Sequence, residues 1–389
     1  MITREELRQL AQFESSEGCA ISFYFQPQTP QDKSHRDEAI LVKDLVRDTL
    51  RRAERNGNRQ GVSEDLERIL TAAESLHGNH SRGKAIFACG EQGLWRELDL
   101  PPRVGRSQIL VNSRFHLKPL VAAFAEAPRA CIALLDREKA RIFELQGEIL
   151  TQKPELEFGR MPRVGKSDGF EGYEGGHRER HVENEVMNRF KLFAESVHVL
   201  MNRDRFESLL IGCRDEAWPE IEPHLSSYVR QRLAGHFLVD PGLASGAEVH
   251  QAAKTILEQN RNSEQQRMIR EVVGQAARNG RGAVGLRRVL TALERQEVQV
   301  LLVGSDFQAE AVECRNCGHL DTRMVKSCAV CGQATRELTD VADALVDLAL
   351  RNGAEIQFVQ ADPELEKVGR IGALLRFRAD QNTAEKIAV

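Results

Sequence analysis

Four of the eight cysteines in this 389-residue chain stand in two pairs, Cys314-x2-Cys317 and Cys328-x2-Cys331, with ten residues between them. Each pair makes a turn that directs two thiolates at one centre. Two such turns supply four sulfurs in the tetrahedral array that structural Zn2+ prefers. Gly318 and Gly332 directly follow the pairs and permit a tight backbone path there. A shell closed by four protein ligands leaves no open position for substrate, so a structural zinc site is expected rather than a catalytic one. His319 is a neighbouring competitor, made unnecessary by the four thiols. Two disulfides or metal-free thiols are the other readings of this spacing, and a cytosolic setting disfavours the disulfides. Cys19, Cys89, Cys131 and Cys213 are scattered singly among apolar residues and read as buried core thiols.

A second stretch, Gly159 to His181, reads GRMPRVGKSDGFEGYEGGHRERH, with six glycines in 23 residues. Glycine loses the most backbone entropy in a helix or strand, so a long loop is expected over 159–181. Long loops within domains tend to carry function or to be disordered. Backbone without Cβ atoms approaches phosphates closely. Arg160, Arg163, Lys166, Arg178 and Arg180 would meet RNA phosphates around Gly175 and Gly176, while Tyr173, His177 and His181 would stack on unpaired bases. Asp168, Glu171, Glu174 and Glu179 nearly cancel that charge, so a solvated surface loop is the plain alternative. His177 is the candidate catalytic residue, since histidine orients water or acts as a base near neutral pH. Glu174 and Glu179 are nearby, but sequence assigns neither as its orienting partner. Gly165-Lys166-Ser167 looks like the end of a phosphate-binding Walker loop, but Arg160 stands where that motif needs glycine. NTP binding is therefore not expected.

The elements around these segments are α/β. In the first ~125 residues, helices are expected at 3–12, 36–55 and 63–76, a strand at 19–25, a turn at 56–61, and adjacent strands in GKAIFACG and GLWRELDL. A second unit, 126–278, opens with two strands joined by a DREK turn. After the glycine-rich stretch, Val182, Val186, Phe190, Phe193, Val197 and Leu200 recur at three- and four-residue spacing, a helical face. Strand FESLLIGC, a helix near 217–233, strand HFLVD and a long helical stretch at 246–278 follow. A third unit, 279–389, holds helix AVGLRRVLTALERQE, buried strand VQVLLVG and the cysteine insert at 312–335. Helix ELTDVADALVDLALRNG, opened by Thr339 or Asp340, and strands EIQFVQ and IGALLRFR complete it. The expected fold is thus three α/β domains, mixed-sheet in the middle and C-terminal ones, with a zinc insert in the last.

The balance of 41% hydrophobic and 29% charged residues is that of a folded globular chain. A net charge of −4 argues against a uniformly basic nucleic-acid binder but leaves room for local patches. Arg51, Arg52, Arg55 and Arg59 form one such stretch, which reads more simply as a solvated helix end. The charged start and the lack of any apolar run near ~18 residues predict a cytoplasmic protein that neither enters nor crosses a membrane.

The segments GAVGLRRVLTALERQEVQVLLV and GRIGALLRFR, with a four-cysteine insert between them, resemble the C-terminal domain of archaeal-type class-I release factors and Pelota. The middle unit is similar too: a strand hairpin, a glycine-rich loop, then an amphipathic helix. In release factors that loop carries Gly-Gly-Gln and enters the peptidyl-transferase centre; Gly175-Gly176-His177 stands here instead. The first unit shows no Asn-Ile-Lys-Ser element of the stop-codon-reading kind. The chain therefore resembles the bacterial branch of this family, the Balon-like ribosome-associated factors. That resemblance implies a factor occupying the ribosomal A site, in contact with rRNA, on idle or stalled ribosomes. A translational GTPase such as elongation factor Tu is implied as partner. A peptidyl-tRNA hydrolase using His177 and a zinc-ribbon interaction scaffold are the alternatives.

Overall fold

Strand Ala20–Phe25, rich in aromatic residues, is buried at every position, which requires cover on both faces of its sheet. It lies inside an antiparallel sheet ordered Leu94–Leu100, Gly83–Cys89, Ala20–Phe25, Gln108–Asn112. One face buries Ile21, Phe23, Phe25 and Ile86 with Val42, Val46, Leu66 and Ile69 of helices Arg36–Arg55 and Arg59–Ser75. The opposite face, with Tyr24, Ala85 and Phe87, shares a core with Leu10, Phe115 and Leu120, and also with Val289, Leu345 and Val346 from the far end of the chain. The computed structural model describes residues 4–378 apart from 17, 27–35, 56–58, 76–82, 101–105, 127–128, 136–138, 148, 155 and 158–174. Two units result, one of residues 1–126 with 264–389, the other of residues 127–263.

The C-terminal part of the first unit is a mixed sheet, ordered Gly282–Val284, Ile371–Leu375, Val298–Gly304, Glu355–Val359. Val298–Gly304 and Glu355–Val359 run parallel, and helix Ala342–Arg351 lies in the connection between them. The helix expected from Ala283 begins only at Leu286, because Gly285 takes φ 79° and breaks the path, leaving Gly282–Val284 as a strand. Asp340 opens helix Ala342–Arg351 by accepting the Ala342 N–H at 3.0 Å, and Gly353 at φ 65° follows its end. The expected helix start near Glu337 is displaced, since Thr335–Leu338 pairs with Ala311–Cys314.

In the second unit a sheet runs Leu233–Leu238, Ser208–Cys213, Arg129–Leu135, Lys139–Gln146, Ile149–Gln152. The first three strands are parallel; the rest are antiparallel, including the expected hairpin. Residues 136–138 of its DREK turn lie outside the described residues, and Lys139 already begins the second strand. Helix Gly175–Asp204 lays Phe190, Phe193, Ala194, Val197 and Met201 on one face of the sheet, against Cys131, Leu209 and Ile211. The other face meets Val249 and Ala253 of helix Gly246–Ala277. The helix expected near 217–233 is broken into short turns, Trp218–Ile221 and Ser227–Arg230, with Pro223 between them supplying no N–H. No helix among the described residues is long and apolar enough to cross a membrane.

Candidate metal centre and glycine-rich segment

The four paired cysteines converge. Their Sγ atoms all lie within 4.8 Å of one another, with Cys314 and Cys331 at 3.3 Å and Cys317 and Cys328 at 3.6 Å. These separations are too long for sulfur–sulfur bonds of ~2.05 Å. Both fall a little short of the ~3.8 Å between sulfurs of a tetrahedron with ~2.3 Å metal bonds, a spacing that a bound ion would open slightly, so the donor set fits Zn2+. A three-stranded ribbon, Leu320–Asp321, Ala311–Cys314, Thr335–Leu338, carries the site. The two turns repeat one pattern. Gly318 N–H donates to Cys314 O at 3.1 Å and Gly332 N–H to Cys328 O at 2.9 Å, and both glycines take positive φ, 68° and 74°. Backbone N–H groups also aim at sulfur: Asn316 and Cys317 donate to Cys314 Sγ at 3.4 and 3.5 Å, and Val330 to Cys328 Sγ at 3.3 Å. The Cys317 N–H above all brings the Cys314 thiol down to about 6, against the effect of burial, while Cys317 itself, despite the His319 N–H, is pushed up to about 12 by burial and the neighbouring thiols. Such donors favour thiolate, the metal-binding form. His319 is committed elsewhere, its Nδ1 2.5 Å from Glu294 Oε1.

The outer face of the ribbon is ionic. Glu313, buried beside Cys314, accepts from Arg336 Nε at 2.9 Å and from Arg114 Nη1 at 3.2 Å. Sequence reasoning missed this pair of arginines and their shared carboxylate. Glu313 lies one residue from a cysteine in a strand, which marks it as pointing away from the metal, but nothing in the sequence announces its partners.

The other four cysteines are buried as expected. Burial foremost raises Cys19 and Cys131 to about 12 and Cys213 to about 11, so they rest as inert thiols. Cys19 and Cys89 are nevertheless neighbours, Sγ to Sγ 3.1 Å, a proximity that their 70-residue separation hid.

Of the proposed RNA-binding residues, Arg160, Arg163, Lys166 and Tyr173 lie outside the described residues. Gly175, Gly176, His177, Arg178, Arg180 and His181 are not loop but the opening turns of helix Gly175–Asp204. Two glycines cost a helix about 1 kcal/mol each in its interior, but here they occupy its first turn, where N–H groups have no intrahelical acceptor to lose. The 30-residue helix, anchored by its buried face from Phe190 onward, extends through them.

Residues 116–258 match the Bacterial archaeo-eukaryotic release factor family 10. The chain is thus similar to bacterial relatives of the archaeal and eukaryotic release factors. A curated relative, peptide chain release factor subunit 1 of Archaeoglobus fulgidus, is 24% identical over 97% of this chain and 97% of its own length. Among solved structures, an archaeal translation termination factor is 18% identical over 97% of this chain and 99% of its own, with a TM-score of 0.26. A ribosome-bound archaeal Pelota is 17% identical over 76% of this chain and 78% of its own, with a TM-score of 0.44. The profile match on this release factor-like chain spans the glycine-rich segment and the helix that it opens.

Proposed function

We propose that this chain is a ribosome-associated translation factor that occupies the A site of idle or stalled ribosomes. The observation that carries the reading is the end-to-end similarity to a peptide chain release factor, over 97% of both chains. In this reading the glycine-rich segment reaches toward the peptidyl-transferase centre, with Gly175-Gly176-His177 at the start of a long helix. The charged side chains of 160–181 would contact rRNA. The cysteine quartet, holding Zn2+, would fix a ribbon without taking part in chemistry. A translational GTPase of the elongation factor Tu kind would deliver or release the factor.

Co-sedimentation with bacterial ribosomes, vacant and mRNA-bound, across a salt series tests this. Saturable binding that weakens with salt and competes with A-site tRNA is the expected result. Absence of binding at low salt by zinc-loaded protein would leave only an interaction scaffold. His177 stands directly after the two glycines, which keeps a peptidyl-tRNA hydrolase as the second reading. His177→Ala would abolish peptide release under that reading and leave binding in place under the first.

A further inference from the structure

The metal ribbon and the first residues of the chain meet through Arg114, which lies between strand Gln108–Asn112 and helix Lys118–Glu126. Its Nη2 donates to Glu14 Oε1 and Oε2 at 3.2 and 3.3 Å, and its Nη1 to Glu313 Oε1 at 3.2 Å. Its Nε has no hydrogen-bond partner among the described residues, so the guanidinium is held by these two carboxylates. Glu313 immediately precedes Cys314 on the central ribbon strand. Gly318, the glycine of the first cysteine turn, sits beneath the same guanidinium: a β-carbon there would stand 3.2 Å from Nη2. Two points of the ribbon, Glu313 just before the cysteine turn and Gly318 at its end, thus shape the seat of an arginine 199 residues away in sequence from Glu313.

We infer that the ribbon is a metal-dependent clasp: Zn2+ on the four cysteines holds Glu313 and Gly318 in place for Arg114, and so steadies residues 1–126 against the C-terminal part of the same unit. The inference rests on the zinc reading of the quartet. Its physical basis is the cost of a buried carboxylate. Glu313 sits in a site 7% exposed, where Arg114 and Arg336 reach its carboxylate at 3.2 and 2.5 Å, and such a contact tolerates little displacement. Without metal the Cys314–Gly318 turn loses what fixes it, and Glu313 moves from register with Arg114. His116 to Asp343 at 3.3 Å and Lys118 to Asp340 at 3.7 Å do not involve the ribbon. The response is therefore local loosening, not separation of the two parts.

The test is hydrogen exchange of the full chain, zinc-loaded and after chelation, with released zinc measured colorimetrically in the same samples. Chelation is expected to speed exchange in residues 4–16 and 106–117 roughly tenfold or more, the worth of one charge-assisted hydrogen bond. Arg114→Met, with Glu313→Gln as the second variant, should show that faster exchange while still holding one zinc, and chelation should add little to it. Residues 127–263 should exchange as before in every sample. Zinc release with faster exchange confined to 311–338 would overturn the clasp while leaving the zinc reading intact. A metal-replete preparation that binds no zinc would overturn both. Equal acceleration in 127–263 would mean general unfolding and would also overturn the clasp.

Discussion

Replacing Cys328 by serine separates a metal centre from a mere cluster of thiols. Cys328 is 5% exposed, its Sγ lies 3.6 Å from that of Cys317, and it receives the Val330 N–H at 3.3 Å. Within 311–338 the buried apolar side chains other than cysteine are Ala311, Val312 and Leu320. So small a core orders a three-stranded ribbon poorly by burial alone, and a metal on the four thiols would supply the difference. Structural zinc binds peptides of this kind with about 10–16 kcal/mol. An even share among four thiolates is about 2.5–4 kcal/mol, so Cys328→Ser should weaken zinc binding on the order of a hundred- to a thousandfold. The assay is competition with a colorimetric chelator on the purified full chain. Alkylation and mass measurement, run in parallel, should find every thiol reduced. The main core around Leu293, Leu301 and Leu345 contains no cysteine of the quartet, so the bulk thermal transition should move little while the ribbon loses protection. Equal zinc affinity in variant and wild type, or disulfides within the quartet of the wild type, would refute the reasoning.

Further expectations follow from single groups. Asp347 is half-buried and raised to about 7, above all by desolvation, with Arg351 and His116 pulling it down. An acid raised in the fold is protonated there at pH values where the unfolded chain has lost the proton, so stability falls as pH climbs from about 4 to about 7. Asp347→Asn should flatten that slope in urea titrations and raise stability at pH 8 by about 1–2 kcal/mol; an unchanged slope would show that the group is solvated. Glu144 behaves oppositely: burial raises it, but hydrogen bonds from Arg129 and Lys153, each at 2.7 Å, more than compensate and hold its pKa low. Its contribution is present above pH ~4.3 and is lost as pH falls through the lowered value. Glu144→Gln should therefore cost about 1.5–3 kcal/mol at pH 7, and less in acid, by the same titration. Gly282→Ala should destabilise by at least about 2 kcal/mol, because a β-carbon there is driven into the backbone of Val272 and Ala276, which cannot give way as a side chain can. A thermal midpoint within a degree of wild type would argue against that packing.

The convergence of the four cysteines was readable because it is local: their spacing and the turn glycines are properties of eighteen consecutive residues, Cys314 to Cys331. The same holds for strand Ala20–Phe25 and for the helix face at Phe190, Phe193 and Val197, whose periodicity states which side is buried. The sequence also carried the likeness to release factors, because the residues on either side of the insert are contiguous strings. Glycine content misled at 175–181, where helical propensity taken residue by residue missed the anchoring of a long helix by packing further along. Strand Thr335–Leu338 was hidden for a related reason, since its partner is set by ribbon closure and not by its own residues. What tertiary structure alone decided is which distant pieces share a core. Residues 1–126 and 264–389 form one unit. The pairs that bind it, Arg114 with Glu313 and His116 with Asp343, are about two hundred residues apart. No periodicity records such a contact, because a salt bridge across a fold depends on where two chains of packing bring the charges and not on what surrounds either one in sequence.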